Sequence, residues 1–150
     1  MVIAWADVSN SATGRDALTA NTLSRIGSRA DGKADIVLVC RGWDVHWGTP
    51  TYFAHPYFAQ DVTIALRGVK IVGVDVLSPD ETPADENAQI EHGWGMHETL
   101  LGRGVPICEN MKGLGELVGD GQEETWVSLV PLSVHDADDA PVRAYGWKQP

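Results

Sequence analysis

Three features of the chain predict an α/β fold with a mixed β-sheet core and flanking helices. Residues 36–40, Ile-Val-Leu-Val-Cys, form a continuous apolar run of strand length, the pattern of a strand buried on both faces. Residues 70–75 form a second such run that closes on an acid, Asp75. Strand and helix patterns alternate early in the chain and give way to a run of strands late, which favours a mixed α/β core over an all-helical one.

Taken in order, residues 2–5 read as a first strand, and Ser9, Asn10, Ser11 and Gly14 as the loop after it. Residues 18–26 carry a weak amphipathic helical pattern that ends near Gly27. The 36–40 strand leads into an aromatic-rich loop, 41–50, followed closely by Tyr52, Phe53, His55, Tyr57 and Phe58. A helix is predicted over 58–66 with Gly68 as its end, then the 70–75 strand and a turn at 77–80. Residues 81–91 are acidic, contain Pro83 and read as an exposed loop. A helix over 89–104, a short buried strand over 105–108 and one helical turn around Gly113 to Leu117 follow. Strands at 126–132 and 142–146 close the chain, joined by the Asp-rich turn at 136–139. No internal repeat is present.

One hundred and fifty residues suffice for one domain, 1–150, with a true core. With 43% hydrophobic and 21% charged residues the composition is that of a soluble globular protein, and no stretch approaches the length of a bilayer-spanning segment. A formal net charge of −10 with scattered Lys and Arg argues against nucleic-acid binding. The start has neither the basic leader nor the long apolar run of a signal peptide. The two cysteines, Cys40 and Cys108, lie outside any CxxC pattern and read as buried free thiols, which fits a cytoplasmic setting.

The candidate chemistry centres on His97 and Glu109. Gly102 and Gly104 can close the helix that carries His97, placing His97 on its last turns, and the 105–108 strand delivers Glu109 at its C-terminal end, where ligands bind in α/β folds. A neutral imidazole nitrogen and a carboxylate oxygen suit Zn²⁺ or Mn²⁺, although two ligands leave most of the coordination sphere to be filled. Spacing equally allows a structural His beside an apolar helix face, with Glu109 and Asn110 starting the next element. Trp43, Trp47 and Tyr52 are placed to line a pocket for a flat substrate or, alternatively, to cap the core. Asp75 is the best spare ligand, with a hydrogen bond to the turn at Ser78 as its other role. His92 falls off the i,i+4 face of His97, and His55 and His135 read as solvated structural residues.

Four blocks, in this order, resemble a known family. They are Asp35 through Trp43; Trp47 through Phe53 with His55-Pro56; Gly68 through Asp75 with Ser78 and Asp80; and His97, Leu100-Leu101, residues 104–107 and residues 109–111. Residues 129–132 and 140–144 match closing strands. Over 35–146 the chain thus resembles the C-terminal part of the metal-dependent cyclase family, whose members include kynurenine formamidase (arylformamidase) and isatin hydrolase. The resemblance implies a cyclase-like, swivelling β/β/α fold with His97 and Glu109 as metal ligands. It also implies hydrolysis of a small aromatic amide by a metal-activated water, as in the conversion of N-formylkynurenine to kynurenine and formate in tryptophan catabolism.

The family's upstream His-x-Gly-Thr-His-x-Asp block has no counterpart before Asp35, so the N-terminal part of the fold is expected to be missing; His46-Trp-Gly-Thr49 is a superficial echo. Three functional readings follow: a hydrolase represented by a truncated, inactive chain; a non-catalytic remnant acting as a binding or oligomerisation module; or an enzyme that recruits Asp75, His92 or His46 as substitute ligands. An uncovered edge or apolar patch would favour a homo-oligomer.

Overall fold

The computed structural model describes residues 3–7, 14–23, 34–85, 95–118 and 125–148. Four strands, β1 (Ile3–Asp7), β3 (Ile36–Cys40), β5 (Ile71–Val74) and β6 (Ile107–Cys108), form a parallel sheet in the order β1-β3-β5-β6. Two shorter strands, β2 (Ala17–Leu18) and β4 (Tyr57–Phe58), pair in parallel beside it, and β7 (Thr125–Pro131) and β8 (Val142–Lys148) make an antiparallel hairpin. The helices are α1 (Val62–Ala65), α2 (Gly95–Leu101) and α3 (Leu114–Val118).

The central strand β3 explains the layering, because all five of its residues are buried and alternate ones enter different cores. Val37 and Val39, with Val72 and Val74 of β5, pack against Leu18, Phe58, Val62, Leu66, Met96 and Leu100 on the helical side. Ile36, Leu38 and Cys40 face Cys108, Met111 and Leu114, with Val127, Leu129 and Ala144 of the hairpin closing over them. A layer of the hairpin with α3, the parallel sheet, and a layer holding α1 and α2 are thus stacked in that order, and the continuous apolar run is the signature of the strand in the middle.

Gly73 leaves room in the hairpin-side core. A Cβ there would overlap the Leu38 Cδ2 and the Met111 Sδ, so the absence of a side chain is what lets those two residues fill the hairpin-side core.

Two predicted helices are corrected. Residues 58–66 contain only the single turn α1, because the backbone ahead of it is committed to strand pairing: Phe58 N–H donates to the Pro79 carbonyl at 2.7 Å and Ala59 N–H to the Leu18 carbonyl at 2.7 Å. In the 18–26 segment, Leu18 belongs to β2 and residues 20–23 form a turn; residues 24–26 lie outside the described part. The aromatic loop carries two short 3₁₀ turns, Trp43–His46 and Pro50–Ala54. Cys40 and Cys108 are both buried, and neither is in a disulfide.

Candidate metal centre

Three strands of the parallel sheet deliver functional groups at their C-terminal ends. β3 runs into Arg41 and Gly42, β5 into Asp75, and β6 into Glu109. Asp75, 1% exposed, accepts hydrogen bonds from the Arg41 N–H at 2.8 and 2.9 Å and from the Gly42 N–H at 2.7 Å. Burial pushes its carboxyl above the usual range, and these backbone donors pull the other way. Asp75 is therefore the clasp that fixes the end of β3 to the end of β5, not a partner of the Ser78 turn. As a substitute ligand it is already committed.

His97 arrives from the helical layer. It was expected on the last turns of its helix; it is the third residue of α2 (Gly95–Leu101), and the Met96 and His97 N–H groups donate to Asp80 Oδ1 and Oδ2 at 2.8 and 3.0 Å. The far end closes as the glycines predict. Gly104, at φ +72°, lets its own N–H reach the Leu101 carbonyl and the Val105 N–H reach the Leu100 carbonyl, a Schellman closure that turns the chain into β6.

Asp80 Oδ2 also lies 2.7 Å from His97 Nδ1. An ionised carboxylate only accepts, so His97 presents Nδ1–H to it and a neutral ring carries its lone pair on Nε2. That atom is 3.4 Å from Glu109 Oε1. The Glu109 oxygen is buried and has no hydrogen-bond partner among the described residues. Burial raises the Glu109 carboxyl above the usual range; His97 and a hydrogen bond from Ser78 pull it down, while the Asp80 charge adds to the rise.

An unprotonated imidazole nitrogen and a carboxylate oxygen 3.4 Å apart repel each other unless a proton or cation lies between them. The donor types, one imidazole nitrogen and one carboxylate oxygen, fit a divalent metal as two of its ligands. Among the described residues no group of three His, Cys, Asp or Glu side chains converges on one point.

His97 and Glu109 open onto a cleft of about 530 Å³ whose apolar wall includes Ile71, Ile107, Leu129 and Val142, with Asp138 and Asp139 of the hairpin turn at its rim. The predicted aromatic set lies beside Glu109 instead of in this cleft. Tyr52 donates from its hydroxyl to Asn110 Oδ1 at 2.9 Å, and Trp43 Nε1 donates to the Tyr52 carbonyl at 3.2 Å. Both are buried. Trp47, 52% exposed, packs edge-to-face on Tyr52 and has Lys112 Nζ 5.8 Å from its ring centre. Asn110 adopts φ +58°, a left-handed conformation that Asn tolerates well, and so turns the chain sharply after Glu109.

Of the other histidines, His46 packs edge-on against Trp43, and His92 lies outside the described residues. His135 is exposed beside Asp136. His55 is not solvated as expected: it is 2% exposed, with Nδ1 2.9 Å from the Pro56 carbonyl and Nε2 2.7 Å from the Thr82 hydroxyl. The residues that sequence reasoning left without a role here are Asp80, Ser78 and Asn110. The Ser-x-Asp spacing of the first two was a visible signal, but their partners lie on other elements.

A parallel sheet covered by a hairpin and α3 on one face and by α1 and α2 on the other, with a His–carboxylate pair at its C-terminal edge, defines the class. The chain belongs to the Cyclase family, whose model matches residues 2–81. That match includes the Ser78–Asp80 turn and ends before His97 and Glu109.

Among curated relatives, the kynurenine formamidase of Bacillus thuringiensis (strain Al Hakam) is 33% identical over 91 residues, which are 59% of this chain and 38% of that protein. The chain thus spans about two fifths of the length of the relatives it matches. Among solved structures, an isatin hydrolase bound to the product analogue thioisatinate superposes with a TM-score of 0.76 at 19% identity, over 99% of this chain and 59% of that one. A protein described as a potential metal-dependent hydrolase with cyclase activity gives 0.69 at 22% identity, over 99% and 65%. The fold is that of these proteins.

Proposed function

We propose that this chain serves metal-dependent hydrolysis of a carbon–nitrogen bond in a small aromatic amide, in the manner of an arylformamidase converting N-formylkynurenine to kynurenine and formate in tryptophan catabolism. The observation that carries the reading is the approach of His97 Nε2 to the buried Glu109 Oε1, which has no hydrogen-bond partner among the described residues. Membership of the Cyclase family and the likeness to kynurenine formamidases support it.

In this reading His97 and Glu109 hold a divalent cation, zinc or manganese. When bound, such an ion supplies Lewis acidity, polarising an amide carbonyl and acidifying water. The chain's own residues do the rest. The apolar wall of the cleft excludes water from an aromatic ring, and Trp47, backed by Tyr52 and Trp43, offers a further ring surface beside Glu109. A catalytic zinc ordinarily has three protein ligands, so two give weak binding, and turnover by these 150 residues is expected to be low or absent. Two buried cysteines without a disulfide suit a cytoplasmic location.

A second reading, a non-catalytic binding or oligomerisation module, is favoured by the hairpin. Its outward face exposes Trp126, Tyr145 and Trp147, stacked with centroids 5.6 to 6.4 Å apart, together with Val130 and Leu132. Such a contiguous apolar face marks an interaction surface, here for homo-oligomer formation.

The deciding experiment is metal content after zinc and manganese loading, for the parent chain, His97→Ala and Glu109→Ala, with a formamide-hydrolysis assay on each. Metal retained by the parent and lost in both variants supports the metal reading, and turnover would extend it to catalysis. Equal metal in all three overturns it. Sedimentation of the parent and Trp147→Lys on the same preparations tests the module reading: an oligomer that the substitution dissociates supports it, and a parent monomer rejects it.

A further inference from the structure

One tight turn grips both members of the His97–Glu109 pair. Ser78 Oγ accepts the Asp80 N–H at 3.1 Å, and the Ser78 side chain acts on the Glu109 carboxylate, drawing it back toward the ionised form. Asp80, 4% exposed, accepts from two backbone N–H groups of α2 and from the His97 ring. The turn is 17 residues from His97 in sequence, so its contacts are tertiary. A residue needed only to cap α2 would satisfy the two N–H groups and stop there. Asp80 instead uses the same oxygen, Oδ2, for the His97 N–H and for its Nδ1, which locks the imidazole to its own backbone and holds its far nitrogen toward Glu109.

We propose that the Ser78–Asp80 turn is the positioning element of this pair, with Asp80 selecting the Nδ1–H tautomer of His97 so that Nε2 is the atom offered to a cation. The proposal rests on the metal reading above for what Nε2 binds, and on geometry alone for the tautomer. An outer carboxylate that orients a ligating imidazole typically changes metal affinity by about 10- to 100-fold when removed.

Asp80→Asn tests the selection. With the amide oxygen accepting the Met96 N–H in place of Oδ1, the N–H₂ stands where Oδ2 was, gives up the His97 N–H and can meet Nδ1 only as a donor, which drives the ring to the Nε2–H tautomer and covers the donor atom. The measurement is long-range ¹H–¹⁵N correlation of the metal-free, ¹⁵N-labelled chain at a pH where His97 is neutral, with His97→Gln to assign its signals, followed by zinc titration against a competing chelator.

The expected result is Nδ1–H in the parent, Nε2–H in Asp80→Asn, and zinc affinity lower by about 10- to 100-fold in the variant. An Nε2–H parent overturns the proposal without any variant having to fold. So does a variant with unchanged tautomer and unchanged affinity. A parent that shows Nδ1–H yet takes up no zinc overturns the metal reading while leaving the positioning role of Asp80 standing.

Discussion

Tyr52 and Asn110, 58 residues apart in sequence, are joined by a 2.9 Å hydrogen bond from the phenol to the side-chain amide oxygen. Asp44 adds a second tie, accepting the Gly113 N–H at 3.1 Å. The aromatic loop is thereby fastened at two points to the segment that carries Glu109.

Burial first, and then the charges of Asp75, Asp44 and Glu109, raise the Tyr52 phenol from its ordinary value of 10.0 to about 12. The unfolded chain ionises its tyrosine first, so the stabilisation from Tyr52 is complete below about pH 10 and is lost as pH rises from there toward 12. Absorbance titration of the three tyrosines is expected to show a latest phase near pH 12 that Tyr52→Phe removes. The same substitution is expected to lower stability by about 1 kcal/mol, the net worth of one hydrogen bond. Retention of the late phase in Tyr52→Phe would assign it elsewhere.

His55 predicts the opposite pH dependence. Its burial lowers the imidazole below the ordinary 6.5, against the favourable Pro56 carbonyl, with Arg15 adding to the fall. The unfolded chain takes up the proton first, so stability is fully present above about pH 6.5 and declines as pH falls below it, with a slope of at most about 1.4 kcal/mol per pH unit from this group. Urea unfolding at several pH values is expected to show that decline in the parent and a flatter profile in His55→Asn. Parallel profiles would remove His55 as the cause.

Gly73→Ala tests the layer packing. The added methyl meets Leu38 and Met111, both buried, and overpacking of this kind costs about 1–3 kcal/mol. A lowered denaturation midpoint with an unchanged m value is the expected signature. A midpoint equal to that of the parent would mean that the hairpin-side core yields without strain.

The sequence by itself determined the strands whose burial is continuous. Ile36–Cys40 and Ile71–Val74 were legible because a strand covered on both faces has no polar positions to blur the pattern, and the helix stop at Gly104 because a left-handed closing residue is almost always glycine. The extent of α1, the burial of His55 and the capture of the Met96 and His97 N–H groups by Asp80 were decided by tertiary structure, since each depends on a backbone or side-chain partner brought in from a distant segment. For the site, spacing placed His97 and Glu109 at the ends of successive elements. Only the fold set Nε2 facing Oε1, because that alignment is imposed by Asp80 and Ser78, whose hydrogen bonds cross from the end of β5 to α2 and β6 and leave no periodic trace in the chain.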